Sequence, residues 1–153
     1  KGQLAQLKLG DPLDEETTLS PLSTEEAAVN LQKQVQATID AGATVVIGGD
    51  RPQRNGAYFN PTILTDVTPD MPSFDQELFG PVATVYVVKD EQAAIHLANH
   101  SSFGLGGSVF TRDRERGRRV AEQLETGMVF INQPTKSQAN HPRDCHTASG
   151  DSQ

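Results

Sequence analysis

The feature that most constrains this chain is an alternation along residues 82–132. Val82 to Val88 (VATVYVV) reads as a mostly buried strand, and Asp90 stands where a helix carrying Ala94, Leu97 and Ala98 wants its N-cap. Gly106 to Thr111 (GGSVFT) reads as a second strand. Asp113 can cap a helix with Val120, Ala121 and Leu124, closed by Gly127, and Met128 to Asn132 (MVFIN) is a third strand. Strand, helix, strand, helix, strand with short connections predicts parallel βαβ units. Near-continuous apolar strands suit a sheet covered on both faces. The predicted fold class is therefore α/β, an open, mostly parallel sheet with helices on both faces. In such sheets the ligand crevice lies beyond the carboxyl ends of the strands, which for the third strand is Asn132.

Upstream, Ser23 and Glu26 have the spacing of a capping box. Ala28, Leu31, Val35 and Ile39 then fall on one helical face, and Gly42 sits where a helix end wants a residue free to take positive φ. Thr44 to Ile47 (TVVI) predicts a short β-branched strand ended by Gly48-Gly49. An extended stretch follows from Tyr58 to Thr65, with a turn near Pro69-Asp70.

Composition sets the outer bounds. A length of 153 residues suits one ordinary domain. The net charge of −7 argues against general nucleic-acid binding, which needs a basic surface. A single Cys excludes a disulfide framework and a multi-cysteine zinc site. No apolar run approaches a membrane span and no charged-then-apolar segment opens the chain, so a cytoplasmic protein without membrane contact is expected. From Gln133 to Gln153 there is no Val, Ile, Leu, Met, Phe, Tyr or Trp. Such a segment cannot bury enough apolar surface to offset its ordering entropy. The expected division is thus a body over residues 1–133 and a divergent, disordered tail over 134–153. The start at Lys1, with no initiator Met, suggests a piece of something longer.

Glu77 to Pro81 (ELFGP) is the most distinctive run. It sets an acid, two apolar residues, a permissive Gly and a rigid Pro immediately before a strand. A carboxylate on such a turn can accept hydrogen bonds from a vicinal diol, and Phe79 offers a flat apolar face, so a ribose with its attached ring would suit the pair. The competing reading is a solvated Glu77 with Leu78 and Phe79 as core plugs. Gly104, Gly106 and Gly107 (GLGG) follow a helix instead of opening one, and so read as a helix-to-strand turn and not a phosphate cradle. Arg112, Arg114, Arg116, Arg118 and Arg119 are interleaved by Asp113, Glu115 and Glu122, which predicts a solvated helix face.

The string FDQELFGPVATVYVVKDEQAAIHLANHSSFGLGGSVFTRD, followed by TGMVFINQPT, resembles the C-terminal part of the catalytic domain of the aldehyde dehydrogenase family. LKLGDPLDEETTLSPLS and GAYFNPTILTDVTPDM match the same family in order and spacing, so the resemblance covers residues 1 to about 135. The INQPT ending and the VYVVKD strand are most similar to its bacterial succinate-semialdehyde dehydrogenase-like branch. The resemblance implies an NAD- or NADP-dependent oxidation of an aldehyde, succinate semialdehyde first among candidates, to its acid. It places Glu77 on the hydroxyls of the nicotinamide ribose and Phe79 beside the nicotinamide. Thr135 to Gln138 fall near the substrate entrance, with Ser137 a candidate donor to a substrate carboxylate.

Departures from the family pattern bear on activity. The reaction needs a Cys nucleophile, hydride transfer to nicotinamide, and hydrolysis of the thioester assisted by a Glu base. By resemblance both groups precede Lys1, so no catalytic residue is assigned in this chain and the isolated chain is expected to be inactive. Past INQPT the family continues with P-F-G-G and then S-G-x-G-R-E-L, whereas this chain reads SQANHPRDCHTASGDSQ. A reading-frame change near Gln138 would produce that switch; if no alternative frame of the encoding DNA carries the P-F-G-G continuation, the idea fails. The strand that pairs with a partner subunit in the homo-oligomeric family is then missing too. Ser20 stands where the L-G-P-L turn usually has Gly. Cys145 beside His146 reads as an incidental thiol, and His141, Cys145 and His146 as too weak a set for a metal. The competing functional readings are a non-catalytic module binding a nucleotide or a subunit, favoured by micromolar NAD binding in calorimetry, and a pseudogene product. Uncovered apolar faces around Phe79 and Phe103 predict self-association.

Overall fold

The structure, a computed structural model, describes residue 2 and residues 4–135. The chain divides into two compact units, Lys1–Val87 and Val88–Gln153. Both are built of helices and short strands with parallel pairing, and the chain is α/β.

In unit 1 a short 3-10 turn (Leu4–Gln6) and a lone bridge between Leu9 and Leu19 lead into helix α1, Glu25–Asp40. The cap is Thr24 and not Ser23: it is extended (φ −145°, ψ 157°) and its hydroxyl accepts the Ala27 N–H at 3.0 Å. With the start one residue later, Glu26 falls in the first turn and cannot reach back to close a box. There, with Glu25, it meets the positive end of the helix dipole instead. The predicted face holds. Ala28, Leu31 and Val35 are buried, and Ile39 packs on both apolar clusters of the unit. Gly42 takes φ 114° behind the helix.

Strand β1 (Thr44–Ile47) pairs antiparallel with β2 (Thr62–Thr65), and β2 pairs parallel with β3 (Val82–Thr84). A four-residue helix α2 (Pro72–Asp75) lies between β2 and β3 in sequence. The core is one apolar layer between the helices and one face of this sheet. Ala43, Leu64, Val67 and Met71 form one cluster, and Leu31, Val35 and Phe59 the other, with Ile39 and Val82 packed against both.

The predicted strand 82–88 is shorter and less buried than its composition suggests. Ladder pairing stops at Thr84; Val82, Thr84 and Tyr86 are half-buried while Ala83, Val85 and Val87 are exposed, Val87 by 97%. The cause is position: β3 ends the order β1-β2-β3, so among the described strands it has one neighbour, and only its inner face meets the core.

In unit 2, helix α3 (Glu91–Ala98), strand β4 (Gly107–Val109), helix α4 (Arg114–Ala121) and strand β5 (Val129–Ile131) follow in order, and β4 pairs parallel with β5. Both predicted caps are made. Asp90 accepts from the Ala93 N–H at 2.8 Å and Asp113 from the Arg116 N–H at 3.0 Å. The buried side chain of α3 is Ile95, while Ala94 and Ala98 are exposed. Leu124 lies past the end of α4. Gly117, buried in α4, permits close packing: a Cβ there would stand 2.9 Å from Thr111 Cγ2 and 3.1 Å from Ile131 Cγ2. Gly104, Gly106 and Gly107 lie in the connection from α3 into β4, as a helix-to-strand turn requires.

Candidate functional site

The Glu77–Pro81 run forms the loop between α2 and β3, and three features of unit 1 fix it. Leu78 turns inward against the Leu31, Val35 and Phe59 cluster. The Gly80 N–H donates to the Leu78 carbonyl at 2.8 Å and the Val82 N–H to the Gly80 carbonyl at 2.8 Å, giving two successive tight turns. The Pro81 carbonyl then accepts from the Thr62 N–H at 2.9 Å, which locks the loop onto β2. Gly80 is required by proximity, because a Cβ there would sit 2.4 Å from Leu31 Cδ2.

The result separates the two apolar residues of the motif. Leu78 is the plug; Phe79 is 79% exposed, held outward by the turn that buries its neighbour. Glu77 is exposed as well, and no described residue hydrogen-bonds its carboxylate. The loop therefore offers a carboxylate acceptor and a flat apolar face two residues apart, both open to a ligand.

Two contributors escape a reading of the sequence. Gln34, on the polar side of α1, donates through Nε2 to Gln76 Oε1 (3.1 Å) and toward the Glu77 carbonyl (3.4 Å), tethering the loop at its entrance. Nothing local marks that glutamine, whose partners lie more than forty positions away. Beside Phe79 there is also an open, largely apolar concavity of about 400 Å³, with Leu19, Pro21, Leu22 and Pro81 in its lining and Ser20 and Ser23 contributing hydroxyls. The Leu-Ser-Pro-Leu turn with the departing Ser20 is thus a wall of the space next to the motif.

The remaining predicted positions sort simply. Thr135 is exposed and lies against β4, its hydroxyl 3.2 Å from Ser108 Oγ and its methyl facing Gly106. Ser137, His141, Cys145 and His146 lie outside the described residues. Among the described residues no three His, Cys, Asp or Glu side chains gather as a metal site, and no helix is long and apolar enough to cross a membrane. The arginine run is divided. Arg116 ion-pairs with Glu91, which holds its pKa above the ordinary guanidinium value, Arg118 lies 3.8 Å from Glu115, and the others are exposed. A second concavity of about 390 Å³, within unit 2, is lined mainly by apolar groups such as Ile95, Val109, Phe110 and Val120, with Arg116 and Glu91 also present.

Comparison with known proteins decides the family. The aldehyde dehydrogenase family model matches residues 1–150. The chain belongs to the aldehyde dehydrogenase family. Within that family it is 61% identical over 133 residues to the succinate-semialdehyde dehydrogenase [NADP(+)] of Deinococcus radiodurans, a match over 87% of this chain and 28% of that protein. Among solved structures it is similar to the Streptococcus pyogenes succinic semialdehyde dehydrogenase in complex with NADP+ (TM-score 0.84, 42% identity, 88% of this chain and 30% of the other). It is also similar to a Staphylococcus aureus betaine aldehyde dehydrogenase mutant without cofactor (TM-score 0.89, 35% identity, 95% and 30%). This aldehyde dehydrogenase chain therefore spans under a third of the length of those relatives. The shared backbone does not discriminate between aldehydes, since a betaine aldehyde enzyme superposes as well as a succinic semialdehyde one; identity does, and it favours the succinate-semialdehyde group.

Proposed function

We propose that this chain supplies the nicotinamide-side wall of an NAD(P)-dependent aldehyde dehydrogenase acting on succinate semialdehyde, with the acid as product. The observation that carries the reading is the outward Phe79 on a locked turn, two residues from a free carboxylate. Burying about 80% of a Phe ring would be favourable by more than a kcal/mol, so a chain that holds it in water forgoes that gain for a purpose. Glu77 fits the hydroxyls of a ribose, which donate, because an ionised carboxylate only accepts. Phe79 fits the flat face of the attached ring. When bound, nicotinamide accepts the hydride that leaves the aldehyde carbon. In this reading Glu77 and Phe79 orient that ring and exclude water from one side of it, while the thiol nucleophile and the general base come from outside the described residues. Ser137 is carried as a donor to the far carboxylate of the substrate. The body over 1–133 acts as part of a catalytic domain, and the isolated chain is inactive. A homo-oligomeric, cytoplasmic enzyme is the natural setting for such a domain, and a single thiol suits that compartment.

A chimera tests the reading. Residues 1–133 replace the matching stretch of the Deinococcus radiodurans enzyme, and reduction of NADP+ is followed with succinate semialdehyde. The chimera turns over, and Glu77→Gln within it lowers kcat by about tenfold or more without loss of folding. A folded chimera whose kcat and KM ignore Glu77→Gln and Phe79→Ala removes the assignment. Turnover by the 153-residue chain alone would refute the claim of inactivity.

A further inference from the structure

The edge of β3 is shaped to take one more strand, and its own copy has the matching shape. In the β2–β3 pair the Thr62 N–H donates to Pro81 and the Val85 N–H to the Leu64 carbonyl, so residues 81, 83 and 85 turn their backbone groups toward β2. Thr84 and Tyr86 then turn theirs the other way, and neither has a backbone partner among the described residues. Side chains alternate in step. Val82 and Tyr86 pack on the core, while Ala83, Val85 and Val87 stand on the outer face with exposures up to 97% at Val87. No charged residue falls between Glu77 and Lys89, so the edge carries none of the charges that usually guard such a strand.

We infer that a second copy of this chain pairs antiparallel along this edge, about a two-fold axis at Val85. With that axis, Thr84 of one copy lies opposite Tyr86 of the other and each pair exchanges two N–H···O=C bonds, four in all. The outward groups at 84 and 86 are the set this register consumes. On the outer face Val85 meets Val85, and Val87 meets Ala83, which covers the most exposed large apolar side chain of the molecule. A two-fold pairing of this kind closes on itself and yields a dimer and not a filament.

Sedimentation velocity on the full chain across a concentration series is expected to show a monomer–dimer equilibrium. Val87→Lys, at a site that is solvent-exposed in the monomer, weakens it by about tenfold or more while leaving the circular dichroism unchanged. The register is tested by cross-linking in a Cys145→Ser background. Val85→Cys sits on the axis and forms a disulfide-linked dimer on mild oxidation, whereas Val87→Cys, although more exposed, does not. Amide exchange adds a readout independent of any substitution: protection at Thr84 and Tyr86 rises with concentration, and protection at Val85, already bonded to β2, does not. A chain that stays monomeric throughout the series overturns the inference. So does Val87→Cys cross-linking as readily as Val85→Cys, which is the pattern of unspecific apolar aggregation.

Discussion

Phe59, Leu64, Leu31 and Val35 are enclosed in unit 1 with 2% exposure or less, while in unit 2 Ile95, at 7%, is the one large apolar side chain buried to a comparable degree among the described residues. The sixteen-residue α1 lays a full apolar stripe on the sheet of unit 1; the helices of unit 2 are eight residues each and are held at their ends. Asp90 and Asp113 cap the starts of α3 and α4. Asn99, which ends α3, donates through Nδ2 to the Gln123 carbonyl (2.7 Å) and accepts at Oδ1 from the Glu125 N–H (3.0 Å). Asn132, at φ 57°, accepts the Thr111 N–H at 2.8 Å and so continues the β4–β5 ladder past its last residue with a side chain. One unit is a small apolar core, and the other is a frame of short elements tied by polar side chains. The difference matters for function, because the candidate ligand loop hangs on the unit with the core.

The largest effect is expected at Phe59, which is fully buried. Phe59→Ala should cost about 3–5 kcal/mol of unit 1 stability, the usual range for emptying an aromatic site in a core. Both tyrosines of the chain, Tyr58 and Tyr86, lie in unit 1 and there is no Trp, so tyrosine fluorescence in urea follows that unit by itself. The α3 and α4 amides, followed by hydrogen exchange, report on unit 2. If the substitution lowers both signals equally, the two units unfold as one and the contrast drawn here collapses.

Next in size is Gly80→Ala, expected to cost about 1–3 kcal/mol through overpacking, since the new methyl would lie 2.4 Å from Leu31 Cδ2. The same substitution is predicted to move Phe79, because Leu31 is itself fully packed and the loop is the freer partner. A stability equal to the parent, by the same tyrosine signal, would show that the loop is not seated on the core and would detach the site from unit 1.

Much of this was legible beforehand and the remainder had physical reasons for hiding. The α1 stripe, β1, Gly42 and the caps at Asp90 and Asp113 are local patterns, in which the residues that interact lie within four positions of one another; all appear where predicted. Val82 to Val88 misled because an apolar run says a strand is buried only if the strand has neighbours, and neighbour number is a property of topology. The cap of α1 slipped by one residue because Ser23 and Thr24 are chemically equivalent there. Within the site, Glu77 and Phe79 were found by their types, but which of Leu78 and Phe79 faces inward depended on a one-residue phase that Gly80 and Leu31 set across the fold. Gln34 carried no signal at all.

For unit 2 the corresponding test is Asn99→Ala. It removes two hydrogen bonds that join the end of α3 to the segment after α4, and at roughly 0.5–1.5 kcal/mol each a loss of about 1–3 kcal/mol is expected, toward the lower end because Asn99 is only half-buried. Exchange at the α3 and α4 amides should quicken while the tyrosine transition of unit 1 stays in place. Slower exchange than in the parent, or a matching shift in unit 1, would contradict a unit held by such ties. Asn99→Asp sharpens the result, since a carboxylate keeps the bond from Glu125 and loses the donor to Gln123.

The smallest effect isolates a polar tie within the core-bearing unit. Thr68 donates its hydroxyl to Asp70 Oδ1 at 2.5 Å in the turn between β2 and α2, and this bond, followed by one from the backbone of Asp70 itself, lowers the carboxyl pKa below its ordinary value. A depressed folded pKa means the unfolded chain takes up the proton first. The stabilisation is therefore complete above the unfolded value, about 4, and fades as pH falls through the lower folded one. Because Asp70 is fully exposed to solvent, the effect should be the least of the four. Thr68→Val is expected to shift the urea midpoint of the tyrosine signal slightly downward at pH 7, and the gap from the parent should close at pH 2. A gap that persists unchanged to pH 2 would assign the loss to packing of the threonine and not to its hydrogen bond. In that case polar ties would be a device of unit 2 alone.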